Sequence, residues 1–172
     1  MIPIMDKLIV TLFIVFMLIN HPGFTLPEDK TKMLQLRANT ADINQETHSG
    51  IYTENVELDQ GSTHLRAAKA ITKVDQNNKL IKAIAEGNKA AQAHFWTLTH
   101  QQKPPLHAYA NTIRYFPNKH LIQLIGNARV EQGKDFFSAP EINYDTLNQH
   151  ITSQSNSREQ TLIIIHPEDH HE

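Results

Sequence analysis

Two stretches of the chain, 72 residues apart, carry the information that decides the fold. Residues 34–67 read LQLRANTADINQETHSGIYTENVELDQGSTHLRA, and residues 106–139 read LHAYANTIRYFPNKHLIQLIGNARVEQGKDFFSA. Nine of the 34 aligned positions are identical, including the runs Ala38-Asn39-Thr40 and Gln60-Gly61. Ordinary composition would give about two identities. The chain therefore contains an internal duplication.

Both copies alternate apolar and polar residues, which is typical of strands. In the first copy Tyr52, Glu54, Val56 and Leu58 alternate with polar residues, and the turn 60–62 follows. The same order of strand and turn recurs at 80–85, 121–131 and 161–165, and a first strand is predicted at 32–37. Because turns recur about every ten residues, we expect an all-β sandwich or barrel-like fold.

The duplication also assigns residues 65–74, which suit a helix through their alanines and a strand through their β-branched residues. A shorter pattern, Ala-x-x-apolar-x-(Ile, Thr or Tyr), begins four times, at Ala38, Ala67, Ala110 and Ala139. The later copies carry isoleucine and tyrosine at the matching positions, so we predict a strand. Because one short β unit cannot bury its apolar face alone, the four copies should share one continuous core.

Length and composition exclude several classes of protein. A chain of 172 residues has room for one ordinary domain. It has no cysteine, which excludes disulfides, thiolate metal sites and cysteine nucleophiles. Its net charge of -2 gives no basis for binding nucleic acid, which needs clustered cations facing phosphates.

The N-terminal region predicts export. Residues 8–19 form an apolar run of 12 residues behind Lys7, whereas a bilayer-spanning helix needs about 20. This length is typical of the core of a secretory signal peptide, which we place at residues 1–25, with a mature chain that starts near Leu26. The alternative is that the segment stays uncleaved as a short anchor.

Three strings of the second copy, ANTIRY (110–115), LIQLIGNARVEQG (121–133) and APEINY (139–144), resemble the LptA family of periplasmic lipopolysaccharide-transport proteins, with their OstA-like repeats. The resemblance runs from about residue 32 to residue 167. It implies a β-jellyroll of antiparallel strands whose two sheets enclose an apolar groove. It also implies that the protein accepts lipopolysaccharide from the inner-membrane export machinery, with LptC as donor, passes it towards LptD, and associates end to end.

A row of apolar side chains is available to line such a groove. The alternation turns these residues inward: Leu34, Leu36, Ile43, Val56, Leu58, Ile113, Tyr115, Leu124, Phe137 and Tyr144. From the residues alone, the row could equally fill a closed sandwich core. The resemblance assigns it to lipid, most directly at Leu34, Leu36 and Tyr115, and adds Phe95.

The last predicted strand indicates how copies would associate. It carries four consecutive apolar residues, namely Leu162, Ile163, Ile164 and Ile165. An end strand with unpaired backbone groups invites pairing with another chain. Pairing it with the first strand of a neighbouring copy would form an open, end-to-end homo-oligomer.

No catalytic or cofactor motif stands out. The chain lacks a GxSxG elbow, an HExxH motif and a P-loop. His94, His100 and His107 have no carboxylate at a recognised ligand spacing, and the histidines at 166–171 belong to a solvated C-terminal end. We therefore predict no enzyme activity, no cofactor and no metal site.

The sequence predicts a periplasmic lipopolysaccharide carrier with a β-jellyroll domain at 26–167 and a flexible tail at 168–172. Two alternatives stay open. One is an LptC-like component whose N-terminal segment remains in the inner membrane. The other is a structural β-repeat protein with a sealed core and only protein partners.

Overall fold

The structure is built from antiparallel strands. The computed structural model describes residues 29, 31–155, 157 and 159–167, so the predicted signal peptide 1–25 and tail 168–172 lie outside the described residues. The strands are β1 (Gln35–Arg37), β2 (Thr40–Asn44), β3 (Ser49–Gln60), β4 (Thr63–Val74), β5 (Leu80–Glu86), β6 (Ala93–Thr97), β7 (Leu106–Ala110), β8 (Thr112–Phe116), β9 (Leu121–Gln132), β10 (Asp135–Asp145), β11 (His150–Gln154) and β12 (Leu162–Ile164). The predicted all-β fold is confirmed. No helix among the described residues is long and apolar enough to cross a bilayer.

The duplication is visible in the backbone. Strands β2 and β3 match β8 and β9 at an offset of 72 residues, with the same start and end positions. His48 and His120, at equivalent places before the long strands, are both left-handed, with φ of 52° and 51°. Gly61 and Gly133, in the equivalent hairpin turns, have φ of 57° and 62°. Both copies thus use the same turns, which fixes the same register twice.

Four long strands are each shared by two layers. The C-terminal half of β4 pairs with β5, whereas its N-terminal half pairs with β6. The strands β3, β9 and β10 divide in the same way. The result is sheet 1, in the order β2-β3-β4-β5-β8-β9-β10-β11, and sheet 2, in the order β1-β3-β4-β6-β7-β9-β10-β12. The two sheets are continuous through the long strands and face each other.

Two of the long strands, β3 and β9, change sheet at a β-bulge. In β3 the register shifts between Thr53 and Val56, because Glu54 and Asn55 are both left-handed. The second copy has the equivalent shift between β9 and β10, with Gly126 and Asn127 left-handed. A bulge bends a strand and increases its local twist. The alternation predicted for Tyr52, Glu54, Val56 and Leu58 is interrupted at Glu54, which lies in the bulge and is exposed.

Small side chains line the crease where the two sheets meet. Val56 pairs with Ala67, Ala93 with Ala110, and Ala128 with Ala139. Ala38, which directly follows β1, packs against the buried cluster that contains Val56. The four alanines of the repeated pattern, Ala38, Ala67, Ala110 and Ala139, therefore lie in one cross-strand row. A methyl group at each position lets the two sheets approach closely.

The first strand is shorter than the predicted range of 32–37. Only Gln35–Arg37 pairs, with Asp59 to Glu57 of β3. Lys32 instead closes a tight turn by donating its backbone N–H to the carbonyl of Asp29, and its own carbonyl accepts a hydrogen bond from the Gln60 side chain. The chain therefore enters the sheet from a capped turn.

Gly61→Ala should destabilise the fold more than the equivalent change in the second copy. A Cβ at Gly61 would lie 2.0 Å from Oδ1 of buried Asp29, which accepts a hydrogen bond from the Ser62 backbone N–H. A left-handed alanine is itself strained. Together with this clash, the strain should lower the free energy of unfolding, measured in urea, by about 2–3 kcal/mol.

The matched control is Gly133→Ala. Its Cβ would contact only the Pro104 ring, at 3.3 Å. The left-handed φ of the new alanine is then the main penalty, which should lower the free energy of unfolding by about 1 kcal/mol. Equal losses in the two variants would contradict the role of Asp29.

Candidate functional site

An apolar cavity of about 230 Å³ lies between the two sheets. Its polar lining residues are three threonines, Thr63, Thr72 and Thr146, and two tyrosines, Tyr115 and Tyr144. No charged residue of the described chain is among those that line it. The cavity can therefore hold apolar groups and uncharged polar groups, and it would disfavour a bare ionic group.

Strand register sets which side chains enter the cavity. On sheet 2 the inward row, which starts at the β1 edge, is Leu36, Leu58, Leu65, Phe95, Ala108, Val130 and Phe137. On sheet 1 the row farthest from the crease is Ile43, Gly50, Thr72, Ala83, Tyr115, Ile122, Tyr144 and Ile151. Each row runs perpendicular to the strands, so the groove runs from the edge at β1 and β2 towards the edge at β11 and β12.

Nine of the eleven predicted lipid-binding residues line the cavity, namely Leu36, Val56, Leu58, Phe95, Ile113, Tyr115, Leu124, Phe137 and Tyr144. Phe95 points inward on β6 and its neighbour Trp96 points outward, which settles the register of that strand. The residues therefore meet on one surface although they come from strands far apart in sequence.

Two predicted residues do not line the cavity. Leu34 precedes β1 and is only half-buried. Ile43 belongs to the inward row but is 47% exposed. Its strand, β2, is the edge strand of sheet 1, and no further strand of the described chain lies beside it to cover Ile43. The prediction that Leu34 and Ile43 line the groove is thus not met within this single chain.

Several lining residues were missed by the sequence analysis, among them Leu65, Ile122, Val130 and Ile142. Ile122 and Ile142 lie two residues before the predicted Leu124 and Tyr144, on the same face of the same strands. Extending the period-two pattern by one step would have found them.

The two lining tyrosines are held in their neutral form. Burial raises the pKa of Tyr115 to about 12. Burial, and then the nearby Asp145 carboxylate, raise the pKa of Tyr144. Both phenols keep their protons at neutral pH, so the groove wall stays uncharged.

Both ends of the molecule present incomplete apolar rows. At the β11 edge, Ile151 lines the cavity and is nevertheless 49% exposed, so the cavity reaches solvent there. The predicted interface residues Leu162, Ile163, Ile164 and Ile165 are all exposed. Among the described residues, β12 pairs with β10 alone, and at the opposite edge β1 pairs with β3 alone. Within that part of the chain, each of these two strands has one edge without a strand partner.

The outer face of sheet 2 carries a stack of rings. His94 stacks on Trp96 at 4.5 Å and on Tyr109 at 4.1 Å between ring centroids. His94 Nε2 is 3.0 Å from His107 Nδ1, whereas His100 is exposed in a turn. Arginines close the stack, with Arg66 over Trp96 and Arg129 over Tyr109. Among the described residues, no group of three or more potential ligands could hold a metal ion.

His94 should make stability depend on pH. Burial, then the neighbouring His107, Arg129 and Arg66, lower the pKa of His94 from 6.5 to about 4. Above pH 6.5 the ring is neutral in both states and the effect is absent. Between that pH and about 4, the unfolded chain binds a proton that the folded chain does not, so stability falls as pH falls. Because His94 is only partly buried, solvent screens part of the unfavourable charge interaction. We therefore expect the free energy of unfolding to fall by about 1–2 kcal/mol over this pH range.

Urea unfolding at neutral and acidic pH measures this loss. His94→Phe keeps a ring in the stack and should lose less stability on acidification than the wild type. His100→Phe, which removes an exposed histidine outside the stack, should match the wild type. An identical acid response in His94→Phe and the wild type would contradict the assignment.

The fold and the cavity together define a class: a β-jellyroll whose facing sheets hold an open apolar groove, as in a carrier for an apolar ligand. A protein-family comparison makes the assignment specific. The family described as LptA/(LptD N-terminal domain) LPS transport protein matches residues 35–150, and the chain belongs to this family.

Individual relatives agree with this assignment. The chain is 27% identical over 136 residues to the lipopolysaccharide export system protein LptH of Pseudomonas aeruginosa, covering 76% of this chain and 73% of LptH. It is 23% identical over 155 residues to LptA of Haemophilus influenzae, covering 87% and 86% of the two chains. The crystal structure of P. aeruginosa LptH, described as the LptA homologous periplasmic component of a lipopolysaccharide transport device, superposes with a TM-score of 0.69 at 25% identity. That match covers 82% of this chain and all of the other.

Proposed function

We propose that this protein is a periplasmic carrier that binds lipopolysaccharide and hands it on towards the outer membrane without covalent chemistry. The observation that carries the proposal is the uncharged groove, lined by nine of the residues predicted from sequence to contact lipid. Each methylene of an acyl chain that leaves water gains about 0.8 kcal/mol. A groove that replaces water along the acyl chains therefore offsets the main cost of moving this lipid between membranes, while sugars and phosphates stay in solvent.

The same proposal includes partners. We propose LptC as donor and an LptD-like component as acceptor, with copies of this chain joined end to end between them, and family membership supports partners in lipopolysaccharide transport. The edges of β1 and β12 that have no strand partner among the described residues support strand pairing between copies. The named relatives support a periplasmic location, which the signal peptide proposed at 1–25 would provide. A sealed core, as in a purely structural repeat protein, fits the cavity less well.

Site-specific photo-crosslinking in cells tests the proposal. A photoreactive residue at Leu36 or Tyr115, both in the groove, should crosslink to lipopolysaccharide. The control is Glu57, which forms an ion pair with Arg37 on the outer face of sheet 2 and should give no lipid adduct. Equal labelling at all three positions would overturn the groove as the binding site.

A further inference from the structure

The two copies of the duplication differ where they face the groove. Sheet 1 has Gly50, Ala70 and Thr72 in the first copy. The second copy has Ile122, Ile142 and Tyr144 at the equivalent inward positions. The adjoining strand β5 adds Ala83 and Ala85, which also line the cavity. The Tyr52 ring covers Gly50, so the recess that the first copy leaves in the groove wall lies at Ala70, Thr72, Ala83 and Ala85, where the second copy has larger side chains at the positions equivalent to Ala70 and Thr72.

Two hydroxyl groups lie at this recess. A Cβ added to Gly50 would be 2.7 Å from Tyr52 Oη and 3.0 Å from Thr72 Oγ1, so both oxygens lie over the glycine. Tyr52 and Thr72 are only 5% and 6% exposed, and Thr72 lines the cavity. Within the described part of the chain neither hydroxyl has a hydrogen-bond partner from the protein, and neither oxygen is among the fully buried atoms without one, so each keeps some accessible surface.

The other threonines in the lining are satisfied. Thr63 bonds the Thr97 hydroxyl at 2.8 Å, and Thr146 donates to the carbonyl of His120 at 3.2 Å. Buried hydroxyls are normally paired, because an unpaired one has lost its bonds to water without replacement. Thr72, aimed into the groove, is therefore available to a group that enters the groove.

We propose that the recess is a binding site for the linkage end of an acyl chain: Thr72 and Tyr52 donate hydrogen bonds to an ester or amide carbonyl, and the chain lies over Ala70, Ala83 and Ala85. This inference rests on the proposed lipid-carrier function and names the chemical group that the groove recognises.

The chemistry of the recess fits a carbonyl. Hydroxyl groups donate to an uncharged oxygen without needing a counter-ion, and no charged side chain among the lining residues could neutralise a phosphate. An acyl linkage places one uncharged polar oxygen next to a long apolar chain. The recess has the same order, with hydroxyls beside methyl groups.

Binding of paired lipids tests the site. The probes are two phosphatidylglycerols of equal chain length, one with ester-linked acyl chains and one with ether-linked alkyl chains, measured against the full-length protein by native mass spectrometry. One or two hydrogen bonds that only the ester can accept should make its affinity roughly threefold to tenfold higher for the wild type. Thr72→Val and Tyr52→Phe, which keep the shape and remove the hydroxyl, should reduce or abolish this preference.

Thr152→Val is the control, because Thr152 pairs with Asn143 on the outer face of sheet 1 and should keep the preference. A wild type that binds both lipids equally, or variants that keep the full preference, would overturn the recess while leaving the carrier function intact. A wild type that binds neither lipid nor lipopolysaccharide would overturn the proposed function itself. Circular dichroism melts of each variant confirm that the fold is retained.

Discussion

Ala108→Phe is expected to reduce lipopolysaccharide binding at least tenfold without unfolding the protein. Ala108 is buried, lines the cavity and lies between Phe95 and Val130 in the inward row of sheet 2. A ring at this position would extend into the groove, where it displaces acyl methylenes. A tenfold change in affinity corresponds to about 1.4 kcal/mol. The loss of about two methylene contacts is enough, because each contributes about 0.8 kcal/mol.

Stability should change little in this variant, because the ring enters existing space. Overpacking a full core costs about 1–3 kcal/mol, and the cavity offsets part of that cost. The matched control introduces the same ring one residue earlier, as His107→Phe, where the side chain lies in the outer stack. Lipid counted by native mass spectrometry should fall for the inner variant alone. A folded Ala108→Phe protein that binds lipid like the wild type would rule out the groove as the site.

Much of this fold follows from local sequence. The duplication assigned residues 65–74 to a strand, although their alanines favour a helix, and the structure has β4 there. The period-two pattern also gave the facing of many residues of the groove wall, because one face of each strand is buried and a slip of one residue would expose it. Whether a segment forms a strand, and which of its side chains point inward, are therefore determined by a few neighbouring residues.

What the sequence did not predict depends on contacts distant along the chain. The bulges at Glu54 and Gly126 move β3 and β9 from one sheet to the other, and neither has a signature in the alternation. The failure at Ile43 has the same origin, since exposure at an edge strand depends on which strand ends the sheet. The outer ring stack was missed because His94, Trp96 and Tyr109 meet only when β6 pairs with β7.

Ile163→Asp is expected to convert an end-to-end oligomer into a monomer. Ile163 is exposed on β12 and continues the inward row of sheet 2 beyond Phe137. Strand β12 is the last strand of that sheet and has no second strand partner among the described residues. If this edge pairs with β1 of the next copy, the inward rows of the two copies join, which would cover Ile163 and the exposed Ile151 and Ile43. A carboxylate placed at that junction loses water without gaining a cation, which costs several kcal/mol in a buried contact (roughly 3–5 for an unpaired charge).

Light scattering across a concentration series measures this association, since a heterologous contact that does not close gives a size that grows with concentration. Ile51→Asp is the matched control: it replaces a partly exposed isoleucine on the outer face of β3, which is paired on both sides by β2 and β4, and should leave the size distribution unchanged. A monomeric wild type at high concentration, or an Ile163→Asp protein that grows like the wild type, would contradict the model. Because the groove of one copy is complete from Leu36 to Tyr144, monomeric Ile163→Asp should still bind lipid, and only passage between copies should fail.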